Sequence, residues 1–445
     1  MNKRLVILGG GESGVGAAVL AKKQGYDVFL SDSGVIQPRA KELLEEHHVT
    51  FEEGMHSLPL ILTAHEVVKS PGIPDSVPVV EDILHAGIPV ISEIEFAGRY
   101  TGARKICITG SNGKTTTSSL IYYLLRNAGL NVGLAGNVGQ SFAYQVATQD
   151  HDIYVLELSS FQLDGMYDFK ADIAILLNIT PDHLDRYDHD LREYVRAKFR
   201  ITQNMHEDDC FIFCRDDEIS VEHLNRIVLK AKMLPISQKA SVPQGAFTDG
   251  ERMLVKYGDA EFEMFLNELA LQGKHNVYNS MAAALSAKIM NIGNPVIRES
   301  LMSFKSIPHR MEQVARVRGV LYINDSKATN VNSVWYALES MKTPVVWIAG
   351  GQDKGNDYTP LYDLVAEKVR VLICLGLDNE KLHGSFGDKV PCIIDTATME
   401  DAVARAYENT TPGDTVLLSP ACASFDLFRN YEDRGDRFRE AVRHL

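Results

Sequence analysis

Short apolar runs rich in β-branched residues alternate along this chain with longer segments of helical periodicity. Such alternation is typical of βαβ units, in which a helix returns the chain to the start of the next parallel strand. The sequence therefore predicts an α/β fold built on parallel sheets. Strands are predicted over residues 5–8, 27–31, 66–69, 105–109, 153–158, 173–179, 320–324, 345–349, 371–375 and 415–419. Between Phe211 and Leu266 the strand and turn signals are too weak for an assignment.

The length of the chain suggests more than one domain. It has 445 residues, and a domain commonly holds roughly 150, so about three domains are expected. Two segments look like joints: 98–104, just before a predicted strand, and 304–310, after a long helical stretch. The predicted domains are therefore residues 1–98, 99–305 and 306–445.

Composition excludes several classes of protein. Lysine and arginine total 45 and aspartate and glutamate 59, a net charge of −14 that argues against broad nucleic-acid or membrane-surface binding. The six cysteines form neither a CxxC pair nor a four-ligand zinc set, which indicates reduced thiols in a cytoplasmic protein. No apolar run approaches the roughly 18 residues of a membrane span, and the run after Met1 is too short for a signal peptide.

A glycine loop, Gly9 to Gly14, follows the first predicted strand and fits the pattern G-x-G-x-x-G, and Asp32 ends the second. Glycines let the backbone approach a diphosphate at a helix N-terminus, and the acid can hold a ribose hydroxyl. The pattern indicates a phosphate site for some nucleoside diphosphate, of which NAD is one case. The alternative is that these glycines serve only the close packing of helix and strand.

A second glycine loop, Gly110 to Thr117, lies between a predicted strand and a predicted helix. Amides at a helix N-terminus, the amine of Lys114 and a hydroxyl on Mg²⁺ are what a nucleoside triphosphate requires. The strict pattern has glycine where this chain has Ile108, so the loop is a shortened variant. The alternative is a chance Gly-Lys-Thr turn. Glu157, at the carboxyl end of another strand, is a candidate magnesium ligand or, alone, a solvated acid.

Two further residues are candidates in the central segment. His183 lies in a polar loop after a predicted strand, and a lone histidine there is more typical of a structural hydrogen bond than of a ligand. Lys198 lies near the middle of the apolar face of the helix predicted over 191–201. Its amine either extends to the rim of that face or is partly desolvated, with a lowered pKa and special chemistry.

Three turns in the last third of the chain follow predicted strands, at 324–330, 350–355 and 419–426. Carboxyl ends of strands meet at one edge of an open α/β sheet, where ligands usually bind. Residues in these turns suited to charge-assisted bonds with carboxylates are Lys327, Thr329, Lys354 and Ser424. The alternative is that Thr329 and Ser424 cap helices and that the lysines are solvated.

These motifs, in this order, resemble the Mur ligase family over essentially the whole chain. The segment 109–116 is similar to the family's shortened ATP loop, and 156–163, 324–330 and 419–424 are similar to members that add D-glutamate. The resemblance implies a Rossmann-like N-terminal domain for a UDP-linked substrate, a central P-loop-type ATPase domain and a Rossmann-like C-terminal domain for the amino acid. The implied activity is ATP-dependent addition of D-glutamate to UDP-N-acetylmuramoyl-L-alanine through an acyl phosphate, in cytoplasmic synthesis of a peptidoglycan precursor.

The resemblance also implies roles for individual residues. Expected around ATP are Gly110, Ser111, Asn112, Gly113, Lys114, Thr115, Thr116, Asn276, Asn279, Arg310 and Asp325, with His275 and His309 nearby. Expected around the UDP-linked substrate are Gly11, Ser13, Gly14, Asp32, Ser70, Gly72, Asn137 and His183. Expected around D-glutamate are Lys327, Thr329, Lys354, Ser424 and Tyr431. The expected catalytic residues are Lys114, Glu157, His183 and Lys198, and the expected metal ligands are Thr115, Glu157, His183 and Lys198.

The implied cofactors are two Mg²⁺ ions, with ATP as co-substrate and Lys198 carboxylated on its amine. A monomer that binds no nucleic acid is expected. The chain departs from the family pattern at Asp32-Ser33-Gly34, which lacks the usual threonine and arginine, and at Tyr431, where phenylalanine is usual. Two rival functions are an NAD-dependent oxidoreductase, which leaves Lys114 and Glu157 unexplained, and a non-catalytic nucleotide sensor.

Overall fold

The computed structural model of the chain describes residues 3–182, 184–304, 308–353 and 355–445. The chain forms two compact units. The first extends to Ala270 and includes Asn276–Phe304, and the second combines Leu271–His275 with the later part of the chain to Leu445. None of the helices in the described part of the chain has the length and apolar character that a membrane crossing requires.

The first unit begins with a parallel sheet in the order β3-β2-β1-β4-β5. Its central strand is an uninterrupted apolar run with both faces buried, as is typical of parallel sheets. The strands are β1 (Arg4–Leu8), β2 (Asp27–Asp32), β3 (Thr50–Glu53), β4 (Glu66–Lys69) and β5 (Val90–Ile91). The helices are α1 (Glu12–Lys23), α2 (Pro38–Glu46), α3 (Leu58–Ile61), α4 (Pro78–His85) and α5 (Glu93–Gly98).

A larger sheet follows in the same unit, in the order β14-β13-β12-β11-β10-β9-β6-β8-β7. It is parallel except at one edge, where β13 pairs antiparallel with both neighbours. The strands are β6 (Arg104–Thr109), β7 (Val132–Gly136), β8 (Ile153–Glu157), β9 (Ile173–Leu176), β10 (Cys210–Cys214), β11 (Lys232–Ser237), β12 (Gly245–Thr248), β13 (Arg252–Tyr257) and β14 (Ala260–Phe265). The helices are α6 (Lys114–Asn127), α7 (Phe142–Thr148), α8 (Ser160–Asp164), α9 (Leu191–Phe199), α10 (Glu218–Leu224), α11 (Lys274–Ile289) and α12 (Asn294–Ser303).

The second unit is built on a sheet in the order β15-β16-β20-β17-β18-β19, parallel except for β15. Apolar side chains bury both of its faces, in two separate clusters. The strands are β15 (Glu312–Val317), β16 (Val320–Asn324), β17 (Val345–Gly350), β18 (Val369–Leu375), β19 (Ile393–Thr396) and β20 (Thr415–Ala421). The helices are α13 (Val331–Ser340), α14 (Tyr362–Lys368), α15 (Glu380–Phe386), α16 (Met399–Glu408) and α17 (Tyr431–Arg443).

The predicted α/β class is confirmed, and every predicted strand has a counterpart within a few residues of its expected bounds. The region left unassigned holds most of the antiparallel edge of the second sheet, β12 to β14. There, buried residues alternate with exposed charged ones, because one face of β14 lies towards solvent. The domain boundaries at 98/99 and 305/306 stay predictions.

Two acids of α5 attach the first sheet to the second. Glu95, 1% exposed, accepts hydrogen bonds at Oε2 from the amides of Tyr167, Asp168 and Phe169, at 2.9, 3.1 and 2.9 Å. Glu93 Oε1 accepts from Ser141 Oγ at 2.7 Å and from an amide of α7 at 2.6 Å, and burial raises the pKa of Glu93 to about 7. Both carboxyl groups therefore satisfy donors that the packing would otherwise leave buried and unpaired.

Replacing Glu95 with alanine removes three hydrogen bonds to a charged acceptor and leaves three buried amides unpaired. Because each such loss costs about 1–3 kcal/mol, we expect Glu95→Ala to lower the free energy of unfolding of the first unit by more than about 3 kcal/mol. Urea unfolding followed by circular dichroism measures this. Both tryptophans, Trp335 and Trp347, lie in the second unit, so their fluorescence reports on that unit separately. The control is Glu261→Ala, which alters an exposed side chain of β14. Equal urea midpoints for the two variants would contradict the role of Glu95.

Candidate active site

The loop after β6 turns sharply into α6, whose N-terminus it leaves open. Gly110 and Gly113 have positive φ angles of 149° and 86°, and Gly113 directly precedes the helix. Asn178 holds the loop in place, since its backbone oxygen accepts from Ser111 N at 2.9 Å and its side-chain oxygen from Asn112 N at 2.9 Å. Thr115 and Thr116 are buried in the first helical turn. This is the strand, loop and helix arrangement predicted for a triphosphate.

Two lysines meet at one carbonyl of this loop. Lys114 Nζ donates to Gly110 O at 2.7 Å and to Ser111 O at 2.9 Å, and Lys198 Nζ donates to Gly110 O at 2.9 Å. Lys198 is 1% exposed and its amine lies 4.6 Å from the centre of the Tyr194 ring. Burial, reinforced by the charge of Lys114, holds the pKa of Lys198 well below its usual range. Lys198 therefore has a desolvated amine and does not extend to the rim of its helix face.

Glu157 ends β8 with a buried carboxylate that is only half satisfied. Its Oε1 accepts from Asn137 Nδ2 at 2.9 Å, whereas its Oε2 is buried with no hydrogen-bond partner among the described residues. An ionised oxygen in that state is costly unless a cation binds it. The donor set therefore fits the predicted Mg²⁺, a hard cation that prefers oxygen ligands.

Lys114, Lys198 and Asn137, the partner of Glu157, line one cavity of about 330 Å³ in the first unit. Its lining residues are Pro71, Gly72, Lys114, Asn137, Ser159, Ser160, Phe161, Asp182, Tyr194 and Lys198. The cavity thus joins residues predicted for the UDP-linked substrate to residues predicted for ATP. Sequence reasoning assigned no role to Asp182, Tyr194 or the 159–161 segment, although 156–163 is one of the segments that resemble the family. His183, predicted as a metal and substrate residue, lies outside the described residues.

The first glycine loop is braced by the acid that was expected to hold a ribose. Asp32 Oδ2 accepts from Gly10 N at 2.5 Å, and its Oδ1 accepts from Gly34 N at 2.7 Å. At Gly14 a Cβ would lie 1.9 Å from Gly9 O, so close packing is one reason for glycine there. Gly11 has open space around it, which leaves the N-terminus of α1 accessible. Ser70 Oγ, against Gly9, is buried and lacks a hydrogen-bond partner among the described residues.

Residues predicted around the adenosine part of ATP fall in both units. In the first, Asn279 of α11 accepts from Thr117 Oγ1 at 3.1 Å and donates to Asn276 Oδ1 at 3.0 Å, so α11 packs against the ATP loop. In the second, Arg310 lies near Asp325 and His275. Burial raises the pKa of Asp325 to about 6, against the opposing effect of Arg310, and Ser419 Oγ donates to Asp325 Oδ2 at 2.9 Å.

Lys327, Thr329 and Ser424, predicted around D-glutamate, lie in turns after strands of the third sheet, and Tyr431 begins α17. Lys327 Nζ lies 5.1 Å from the centre of the Tyr431 ring, and Ser424 is buried in the turn after β20. Asn330, not Thr329, caps α13, so the capping alternative for Thr329 is wrong. Lys354 lies outside the described residues.

A buried arginine that sequence reasoning missed holds this edge together. Arg434, 1% exposed, donates to Ser326 O at 2.9 Å, to Cys422 O at 3.2 Å and to Gly350 O at 3.4 Å, which lie at the ends of three strands. Burial lowers its pKa to about 10. The signal was helical periodicity, because Arg434 shares the buried face of α17 with Phe438 and Val442.

Comparison with known proteins identifies this arrangement. Family models match consecutive parts of the chain: a MurD-like Mur ligase N-terminal domain at 3–92, the Mur ligase middle domain at 108–287 and the Mur ligase glutamate ligase domain at 309–422. The chain belongs to the Mur ligase family. The predicted resemblance is thereby confirmed.

Several curated relatives of this Mur ligase share one name. It is 57% identical over 445 residues to the UDP-N-acetylmuramoylalanine–D-glutamate ligase of Bacteroides thetaiotaomicron, covering 100% of both chains. It is 56% identical over 443 residues to the enzyme of that name from Porphyromonas gingivalis, covering 99% of this chain and 98% of the other. The structure of the UDP-N-acetylmuramate-alanine ligase of Thermotoga maritima, 16% identical, covers all of both chains with a TM-score of 0.64, which supports the fold.

The conformation of Gly113 is the basis of a test of the ATP loop. Its φ is 86°, and a Cβ there would lie 2.6 Å from Asn279 Oδ1. Left-handed strain alone costs a non-glycine residue about 1–2 kcal/mol, so we expect Gly113→Ala to weaken Mg·ATP binding by about tenfold or more in calorimetric titration. The matched control is Gly102→Ala, since a Cβ at Gly102 meets nothing within 4 Å. Unchanged affinity in Gly113→Ala would show that this loop does not form the nucleotide site.

Proposed function

We propose that this Mur ligase joins D-glutamate to UDP-N-acetylmuramoyl-L-alanine at the expense of ATP. The observation that carries the proposal is the cavity in which Lys114, Asn137 and Lys198 come together beside the half-satisfied carboxylate of Glu157. The full-length relatives that bear the name of this activity support the choice of substrates. We further propose that the enzyme acts in the cytoplasm as a monomer.

The reaction begins at the terminal alanine carboxylate of the UDP-linked substrate. A carboxylate oxygen attacks the γ-phosphorus of ATP, ADP leaves, and an acyl phosphate forms. The amine of D-glutamate then attacks the acyl carbon, and phosphate leaves the tetrahedral intermediate to give the amide. A carboxylate is a poor electrophile, and phosphorylation supplies the leaving group it lacks.

Positioning and charge stabilisation are the main contributions of the protein. The amides at the N-terminus of α6 receive the phosphates, and Lys114 exchanges its bonds to the loop carbonyls for phosphate oxygens. Thr115 and Glu157 would hold one Mg²⁺, and His183 and carboxylated Lys198 would contribute to a second. Bound Mg²⁺ neutralises charge on the transferred phosphoryl group.

The state of Lys198 suits the carboxylation that the family resemblance implies. Its buried amine favours the neutral form, which is the form that attacks CO₂. A nitrogen–carbon bond forms, a proton leaves to solvent, and the side chain becomes a carbamate with one negative charge. This change replaces a group that repels Mg²⁺ with one that binds it.

Phosphate release in the presence of ATP, Mg²⁺ and UDP-N-acetylmuramoyl-L-alanine tests the proposed function. We expect D-glutamate to stimulate turnover, and L-glutamate, L-alanine, L-lysine and meso-diaminopimelate to leave it near the background without amino acid. Equal turnover with another amino acid would refute the assignment of the third sheet. Slow turnover indifferent to all of them would favour a nucleotide sensor, and binding of NAD to the first glycine loop would favour an oxidoreductase.

Lys198→Ala separates the carboxylated lysine from a structural one. We expect the variant to lose activity, because a charged metal ligand is missing, and added bicarbonate not to restore it. Short-chain carboxylates are expected to restore part of it by occupying the vacated space. In ¹³C-bicarbonate, the unaltered protein is expected to show a carbamate ¹³C resonance that the variant lacks. Lys230→Ala, which alters an exposed lysine of the first unit, is the control. Full activity in Lys198→Ala would eliminate the proposed role.

A further inference from the structure

Three potential metal ligands come together in the second unit, on elements that the proposed reaction does not use. They are Cys374 in β18, His383 in α15 and Asp395 in β19. Their ligand atoms all lie within 4.8 Å of one another. Cys374 and Asp395 are direct partners in the parallel register of the two strands, so their side chains lie on the same face of the sheet, and α15 brings His383 over them.

The distances suit a tetrahedral ion after a small adjustment. Zinc bonds of about 2.0–2.3 Å place neighbouring ligand atoms about 3.4–3.6 Å apart. His383 Nε2 now lies 3.0 and 2.9 Å from the two oxygens of Asp395, so these two ligands would separate slightly. The sulfur, within 4.8 Å of both, would approach by no more than about 1.2 Å. One sulfur, one imidazole nitrogen and one carboxylate oxygen form a donor set that zinc accepts.

Exposure gives the cluster an open side. The side chains of His383 and Asp395 are 43% and 56% exposed, whereas Cys374 is 0% exposed at the bottom of the cluster. An ion can therefore enter from solvent and keep a water molecule as its fourth ligand. The buried sulfur would be the ligand that gives selectivity for zinc over Mg²⁺, which avoids thiolate.

A neighbouring amide orients the carboxylate in the way that outer ligands of metal sites do. Asn379 Nδ2 donates to Asp395 Oδ1 at 2.9 Å. Asn379 Oδ1 is buried and has no hydrogen-bond partner among the described residues. Thr396 Oγ1 donates to Cys374 O at 3.0 Å, which ties the two strands together next to the cluster.

Burial and the nearby carboxylate of Asp395 raise the pKa of Cys374 to about 12, so it is a neutral thiol at pH 7. A divalent cation between sulfur and carboxylate would reverse both effects, and binding would release the thiol proton.

We propose that Cys374, His383 and Asp395 bind one Zn²⁺, with water as the fourth ligand, as a structural site that fastens edge strand β19 to β18 and α15. Such a link would protect an edge of the sheet that is otherwise held on one side only.

The test uses the full chain, stripped of metal with a chelator and kept in excess Mg²⁺ so that oxygen-ligand sites are filled. Co²⁺ is the spectroscopic probe. We expect about one equivalent to bind, with a near-ultraviolet thiolate-to-cobalt charge-transfer band and the strong visible bands of tetrahedral cobalt. Zn²⁺ should abolish both and raise the Tm of the unaltered protein. A pale octahedral spectrum, or no binding, would overturn the proposal.

Variants assign the ligands. We expect His383→Ala, which alters an exposed side chain, to lose the tetrahedral spectrum and the Zn²⁺-dependent rise in Tm while it stays folded. Cys374→Ser should lose the charge-transfer band, and Asn379→Ala should weaken Co²⁺ binding by about 10-fold to 100-fold. The control is Cys392→Ser, a half-buried cysteine next to β19, which should bind as the unaltered protein does. A charge-transfer band that persists in Cys374→Ser, or undiminished affinity in His383→Ala, would also overturn the proposal.

Discussion

Hydrogen bonds between buried charged side chains and main-chain groups organise both units of this protein. Glu95 collects three amides of the segment 167–169, and Arg434 donates to carbonyls at the ends of three strands. A buried charge satisfied by the backbone fixes the path of that backbone, because any displacement leaves the charge unpaired. The loops at the sheet edges can therefore hold ligand groups in defined places although they have no regular structure of their own.

The parallel strands that the sequence predicts are mostly buried on both faces and read as continuous apolar runs, as in 5–8 and 345–350. The parallel strands β3, β5, β7, β10, β11 and β19 were not predicted. The antiparallel edge at 245–265 escapes prediction because its strands carry exposed charges and derive their position from their neighbours. The strand, glycine loop and helix at 105–127 are predictable from spacing alone, and the structure has them in that order.

Features of the site that depend on tertiary packing were harder to foresee. Arg434 lies in a helix so rich in charge that it reads as a solvated face, and only its spacing from Phe438 indicates burial. Lys198 was recognised as unusual from its helical face, but the carbonyl it shares with Lys114 is a product of the fold. The spacing of cysteines does not reveal the cluster of Cys374, His383 and Asp395, because only one cysteine takes part. Asp395 comes next to Cys374 only through the register of β18 and β19.

Because of Arg434, the backbone path of three turns does not depend on the side chains that those turns expose. The Arg434 side chain binds backbone carbonyls in the turns after β16, β17 and β20 and so fixes the paths of these turns. Side chains of the turns that face solvent can therefore be exchanged while the backbone paths of the turns are kept. Arg434 itself tolerates little change, since lysine has neither the reach nor the forked geometry to bind several carbonyls at once.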